Sequence, residues 1–317
     1  MTKRMFPEII HVYQNHHLDS TRWNVYKPRD NDIIISSSYK SGTTWTQSII
    51  RELIVYSIKT NHINTYDTLP LEDSYSSIWI DKRTICDIET LSSLLEGQKY
   101  RRFIKTHLPL DGLPYFPQVK YIVLGRDPRD VFMSFWNNYY GYSTSAYDLY
   151  NNTPGRNGPK LPICPEDIHV CWKNWISKGW FEWEKEGFPF WGNMHHTQTW
   201  WNYRYLNNIQ FLNYADLLKN KSEEIKRIAD YIEIDISNKA IESIIDITDI
   251  KNMRQRGMKH NSICNEFKKG ADTFFNKGTN KRWKNVLSED ELVMYEKKKR
   301  EILTRDCASW LENGRKS

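Results

Sequence analysis

The chain alternates short, continuous apolar runs with longer stretches in which apolar residues recur every three or four positions. Residues 32–38, centred on Ile33-Ile34-Ile35, read as a buried strand, and 43–58, with Trp45, Ile49 and Leu53 four apart, as a helix. Residues 101–107 read as a second strand, halted by Leu108-Pro109. A third, 120–125 (KYIVLG), is apolar in the manner of a strand covered on both faces. Asp127 before Pro128 marks a helix start, with the helix running to about 140. Helical spacing resumes over 165–185 and 196–206, and 209–214 (IQFLNY) reads as a fourth strand. Helices follow near 222–232 and 237–247, then a polar segment over 248–270, and Ser288-Glu289-Asp290-Glu291 is a capping box for a last helix to about 304. Residues 1–31 read as a surface lead-in and 60–100 as short helices with loops. Residues 141–165, rich in Gly, Pro, Asn and Ser, read as a long loop of the kind that forms a lid or stays disordered. Alternating strands and helices without an intervening linker predict an α/β fold, a single domain over 1–317 with a central parallel β-sheet flanked by helices on both faces.

Composition narrows the partners. The net charge of +6 is spread along the chain, which points to an anionic ligand and away from a nucleic-acid tract. The first ten residues, MTKRMFPEII, lack the apolar core of a signal peptide, and no run approaches the ~18 apolar residues of a membrane span. Five scattered cysteines without a CxxC pair read as free thiols of a reducing compartment. A cytoplasmic protein with no membrane contact and no metal site is expected. Tryptophan is the outlier: eight of the 13 fall between Trp136 and Trp201, a density suited both to core packing and to the flat walls of a ligand site.

The chemistry centres on Ser38-Tyr39-Lys40-Ser41-Gly42-Thr43-Thr44-Trp45, where a strand turns tightly into a helix. Gly42 permits the turn, and the helix N-terminus, the hydroxyls of Ser41, Thr43 and Thr44, and the Lys40 ammonium suit an anion with several oxygens. Ligands of an open parallel sheet sit beyond the strands' carboxyl ends, so Lys105-Thr106-His107, Arg126 and Tyr214 should converge with this P-loop-like turn. A nucleoside-triphosphate loop requires G-x-x-x-x-G-K-[ST]; here Lys precedes Ser-Gly-Thr-Thr. No clear carboxylate pair for Mg²⁺ stands beside these strand ends, because Asp127 and Asp130 read as helix caps. Metal-free transfer of a group already carried by a nucleotide is favoured over phosphoryl transfer.

These segments resemble those of the cytosolic-type, PAPS-dependent sulfotransferases (PAPS, 3'-phosphoadenosine 5'-phosphosulfate). The family signature YPKSGTTW stands as SYKSGTTW at 38–45, and KTHLP stands unchanged at 105–109. The family's Arg followed by Ser eight residues on is kept as Arg126 and Ser134, and its strand ending in Tyr plus an acidic residue as Tyr214-Ala215-Asp216. Its C-terminal RKGxxGDWK is partly matched by residues 276–284, NKGTNKRWK, in a style closer to microbial than to animal members. The resemblance, from 38 to 284, implies sulfuryl transfer from PAPS to a hydroxyl or amine of a small-molecule acceptor by in-line displacement, with PAP as product and no metal. It implies His107 as general base, and Lys40 and Lys105, with Ser41, Gly42, Thr43 and Thr44, on the phosphosulfate. Arg126, Ser134, Asn276, Lys277 and Gly278 would then lie at the 3'-phosphate, and Trp45, Tyr214, Thr248 and Met253 at the adenine.

Three departures stand out: Tyr39 for the loop proline, Ile250 for an aromatic beside the adenine, and Asn276 for the Arg of RKG, for which a cation among Lys281-Arg282-Trp283-Lys284 is a candidate substitute. The family's C-terminal dimerisation pattern is degraded at 284–289, leaving the oligomeric state open. The acceptor class stays open too, between phenol, alcohol and amine, a polar natural product among them, with 141–165, the aromatic stretch to Trp201, and His195 and His196 as candidate walls. A P-loop kinase and a non-catalytic nucleotide-binding protein of the same fold are the competing readings.

Overall fold

The four apolar runs form four parallel strands, β1 (Ile33–Ser37), β2 (Phe103–Thr106), β3 (Lys120–Gly125) and β4 (Ile209–Asn213), in the order β2-β1-β3-β4. The register pairs Ile34 with Ile104 and with Tyr121, and Leu124 with Leu212. The computed structural model describes residues 6–60 and 77–315. Part of the 60–100 expectation therefore lies outside the described residues; within them that stretch contains the helix Ile88–Gly97.

Side-chain alternation gives the sheet two different faces. Ile33, Ile35, Ile122, Leu124 and Leu212 point to an aliphatic layer with Ile49, Leu53, Ile225 and Ile228, supplied by the helices Thr43–Thr60 and Lys221–Tyr231. Ile34, Ile104, Tyr121 and Val123 point the other way, into a layer containing Trp172, Trp175, Trp191 and Trp200. All four of these indoles are buried, so much of the tryptophan excess is core. The buried Arg102–Asp32 pair, 2.5 Å apart, ties together the amino ends of β1 and β2.

The structure corrects several expectations. Residues 6–31 are no surface lead-in: Tyr13, Asn15, His16, His17, Leu18, Arg22 and Trp23 are buried. The segment is irregular, so its buried polar groups are satisfied locally and show no periodicity; Asn15 Oδ1 accepts the amides of His17 and Leu18. The 141–165 stretch contains the helix Thr144–Asn152, capped by Ser143. The helix expected over 165–185 is only Ile168–Ser177. The polar 248–270 segment holds the helices Ile250–Gly257 and Asn261–Glu266. The capping box at Ser288 and Glu291 is present, but its helix, Glu289–Ile302, is followed by another, Arg305–Asn313.

Candidate active site

The turn after β1 brings Lys40 (φ 61°) and Gly42 (φ 105°) into the left-handed region before the helix Thr43–Thr60 begins. A Cβ on Gly42 would stand 2.7 Å from the Tyr214 ring, so glycine is required by both backbone and neighbour. Tyr214, just past the end of β4, in turn packs edge-on against Trp45 (5.6 Å) and under the Arg126 guanidinium (4.1 Å). Ser37 and Thr43 hydroxyls bond at 2.6 Å across the turn, and Ser38 and Ser41 at 3.1 Å.

Tyr39 takes over the stiffening role of the missing proline by another route. Its ring is buried against Phe135, Phe190 and Trp191, and its hydroxyl accepts the Trp175 indole N–H at 2.6 Å. The turn is thus nailed to the aromatic layer from behind. A second support comes from the helix Asn193–Trp201, whose Asn193 amide donates to Ser38 Oγ and whose His196 Nε2 lies 3.0 Å from Ser36 Oγ. That helix start is held by two buried carboxylates: Glu184 accepts the Gly192 amide, and Glu186 those of Asn193 and Met194. His195 bonds Asp111 at 2.9 Å. Both His195 and His196 are therefore engaged in structural contacts.

The cations meet at the strand ends. Lys40 Nζ donates to Asn138 Oδ1 at 2.6 Å, and Lys105 Nζ lies 4.0 Å over the Trp79 ring. Burial, then the nearby Arg126 and Lys105, push the Lys40 pKa down to about 7. Burial, then Lys82, does the same to Lys105, also to about 7. Arg126 donates to Lys40 O (3.1 Å), Thr279 O (3.0 Å) and Asn280 Oδ1 (3.1 Å). Burial, then the nearby Arg126 charge, lower the Arg282 pKa, so a further cation stands close to Arg126.

His107 follows β2 and is buried beside Trp79, edge-on at 4.8 Å, and Trp191 at 5.7 Å. Its Nδ1 lies 2.6 Å from Ser37 O. A carbonyl only accepts, so Nδ1 carries the proton and Nε2 presents a lone pair that has no partner among the described residues. Burial, then Lys105, hold the imidazolium form well below the usual histidine range, so the ring is neutral at pH 7.

One strap, 265–282, runs along the helix Pro128–Tyr140 and joins several of these groups. At one end Glu266 O accepts the Ser143 amide (3.0 Å) and Gly141 O accepts the Lys268 amide (2.8 Å). In the middle Asn138 Nδ2 donates to Thr273 O (3.1 Å), and Arg254 donates to Phe275 O and Asn276 O, each at 2.7 Å. At the far end the Asp130 carboxylate accepts the Lys281 and Arg282 amides. Asp127 caps its helix as expected, whereas Asp130 holds this turn instead. Gly278 packs close to both Ile250 and the Tyr214 hydroxyl.

Of the residues singled out by sequence, Lys40, Gly42, Trp45, Lys105, His107, Arg126, Tyr214 and Gly278 thus lie in one connected neighbourhood. Ser134 is half-buried on the helix Pro128–Tyr140, and Lys277 is exposed. Met253 is buried, while the Thr248 hydroxyl turns back to Ile244 O at 2.7 Å, serving its own helix end. Sequence reading missed Asn138, Arg254 and the strap-holding role of Asp130, because each acts through a long-range contact with irregular chain.

A parallel α/β sheet with a tight strand–turn–helix loop and lysine and arginine at its strand ends is the architecture of an enzyme that handles an anionic donor. The sulfotransferase domain family matches residues 30–302, and the chain belongs to that family: it is a sulfotransferase. It is 28% identical to a glycolipid sulfotransferase of Mycobacterium bovis BCG, over 96% of this chain and 95% of that one. It is 26% identical to rat sulfotransferase 1A1, over 81% of this chain and 79% of that one. In fold it is similar to mouse sulfotransferase SULT7A1 complexed with PAP, with a TM-score of 0.66, 20% identity, and 92% of each chain covered. Retinol dehydratase complexed with androsterone and PAP matches with a TM-score of 0.63 and 22% identity, covering 90% of this chain and 84% of that one.

Proposed function

We propose that the enzyme transfers the sulfuryl group of PAPS to a hydroxyl of a small or glycolipid-like acceptor, with His107 as general base, in the cytoplasm. The observation that carries this reading is the His107 tautomer: Nδ1 is committed to Ser37 O, leaving Nε2 to take the acceptor's proton. The residues present suit the donor. Lys40, Lys105, Arg126 and Arg282 gather positive charge that burial and mutual repulsion destabilise, as the lowered lysine pKa values report, and a polyanion relieves that cost. The Trp45 indole N–H, buried and without a hydrogen-bond partner among the described residues, lies beside Tyr214 on the side assigned to the adenine.

In the step itself the acceptor oxygen forms its bond to sulfur as the bond from sulfur to the 5'-phosphate oxygen breaks. The proton passes to His107 Nε2, and the electron pair stays on the departing phosphate. Lys40 and Lys105 stabilise that developing charge, with the amides and hydroxyls of 41–44 aligned on it. Arg126, Ser134, Asn276, Lys277 and Gly278 are assigned to the 3'-phosphate, and Tyr214, Thr248 and Met253 join Trp45 around the adenine. Sequence similarity to a glycolipid sulfotransferase supports an alcohol acceptor over an amine.

The test compares thermal stabilisation by PAP with that by ADP and ATP–Mg²⁺, alongside transfer of labelled sulfate from PAPS to an alcohol, phenol and amine panel. Stabilisation by PAP with sulfate incorporation is expected; stabilisation by ATP–Mg²⁺ and not by PAP would sink the reading.

A further inference from the structure

Two buried histidines of the 6–31 segment are not used by this mechanism. His16 Nε2 lies 2.8 Å from Pro189 O, so it must donate there, which leaves His16 Nδ1 as an acceptor. His16 Nδ1 meets His17 Nδ1, and only one proton fits between them, so His17 Nδ1 is the donor. The consequence reaches the far side of the second ring: His17 Nε2 carries a buried lone pair, with the Tyr142 hydroxyl at 3.5 Å. That distance is well beyond a normal O–H···N bond, so this acceptor is only weakly satisfied. Burial, then the neighbouring His16 and Lys82, keep His17 neutral, as the tautomer assignment requires.

His17 also shares the reaction centre's walls. Starting from His107, ring contacts run to Trp79 (4.8 Å), from Trp79 to Lys82 Nζ (5.4 Å), from Lys82 Nζ to Tyr150 (5.8 Å), and from Tyr150 to the stacked His17 (3.6 Å). From His17 the circuit closes through Trp191 (6.1 Å) back to His107 (5.7 Å). The six side chains form a closed loop that includes the proposed base. Two neutral imidazoles, each with Nδ1–H spent on a fixed internal acceptor, therefore flank the same indole; Nε2 has no partner among the described residues in His107 and only the long Tyr142 contact in His17. The Tyr150 hydroxyl is already committed to Glu266, and Lys82 pairs with Glu266 at 3.9 Å, so neither competes for His17.

We propose that His17 is an acceptor-positioning residue that takes a hydrogen bond from a second hydroxyl of the acceptor, next to the hydroxyl that His107 deprotonates. The acceptor class is thereby a polyol, a molecule bearing neighbouring hydroxyls such as a sugar or diol. Tyr142 moves aside or turns its weak bond over to the ligand. This inference rests on the sulfotransfer reading above, with His107 as the base.

The experiment is calorimetric titration of the PAP-loaded full chain with two probe pairs, catechol against phenol and cis-1,2-cyclohexanediol against cyclohexanol. In the wild type the diol of at least one pair binds about tenfold more tightly than its mono-ol, the worth of one good hydrogen bond. His17→Asn keeps a donor in the place of Nδ1 for His16 but has no atom at the place of Nε2; it abolishes the preference and leaves PAP affinity unchanged. His17→Gln, whose amide reaches the Nε2 position, retains part of it. No diol preference in either pair, its persistence in His17→Asn, or loss of PAP binding in both variants overturns the proposal. Failure of the underlying reading shows elsewhere: PAP does not bind the wild type, or His107→Ala still turns over, neither of which the diol preference measures.

Discussion

On the proposed donor side of the reaction centre, charge is gathered at strand ends by very short stretches of chain: 38–45 after β1, Lys105 to His107 at the end of β2, Arg126 one residue past β3. On the proposed acceptor side, the walls are rings brought together from far apart: His17, Trp79, Tyr142, Tyr150 and Trp191 come from four separate stretches of chain. The first is a device of backbone geometry and fixed cations, costly to bury and stabilised by its ligand. The second is a device of apolar area with few polar groups among the rings. The difference teaches that fixed cations and aromatic area are separable physics, so under the proposed reading perturbations should sort cleanly between the two substrates.

The largest expected effect lies where the two sides meet. His107→Ala should lower kcat by about a thousandfold, within the range for loss of a general base, while PAP affinity measured by calorimetry stays the same. If PAP affinity fell in parallel, the division between the sides would be wrong.

A smaller effect concerns the donor side alone. The Lys40 and Lys105 pKa values are lowered to about 7, so in the ligand-free protein the ammonium forms are lost as pH rises through 7. An anion that needs them protonated must then take up protons on binding. PAP affinity should fall as pH goes from 7 to 9, by at most about tenfold per unit for each lysine, and the heat of binding should vary with the buffer's ionisation enthalpy. His107 is held well below its usual range, so it remains unprotonated across this window and contributes no limb to the profile. A flat PAP affinity from pH 7 to 9 would refute the linkage.

The smallest effect separates scaffold from site. Tyr39→Phe removes the acceptor of the buried Trp175 indole N–H while keeping the ring among Phe135, Phe190 and Trp191. A stability loss of about 1–2 kcal/mol by urea unfolding is expected, with KM for both substrates within about twofold. A large rise in KM for PAPS with unchanged stability would mean that the hydroxyl serves the loop's ligand directly.

What the sequence made legible follows the same division. The β-strands and the loop at 38–45 announce themselves because apolar runs, a glycine turn and a cation are contiguous, and the sheet assembles them as expected. The proposed acceptor walls were legible only in part: 141–165 and the aromatic stretch to Trp201 hold Tyr142, Tyr150 and Trp191, whereas the histidines of the 6–31 segment escaped notice. His16 and His17 sit in an irregular segment whose burial is satisfied by Asn15 and Pro189, so no period marks them as interior. The Thr144–Asn152 helix hides among Gly, Asn and Pro because only Ser143 caps it and its buried residues are just Ala146 and Tyr150. The helix after Asp167 stops at Ser177 because the chain beyond it is committed to capping the next helix through Glu184 and Glu186, a tertiary demand that overrides local spacing.

The strap from 265 to 282 makes one last point about the pair of substrates. Its first residues are tied to Gly141 and Ser143, beside the proposed acceptor walls, and its last ones to Arg126 and Asp130, beside the cations proposed to hold the donor. A single piece of chain anchored at both ends is an element that the two otherwise separate sides share. Equilibrium linkage makes any influence through it mutual: whatever factor PAP exerts on acceptor affinity, the acceptor must exert the same factor on PAP. The chain's own covalent continuity, rather than any contact between the two ligands, would then carry that coupling, whichever of them binds first.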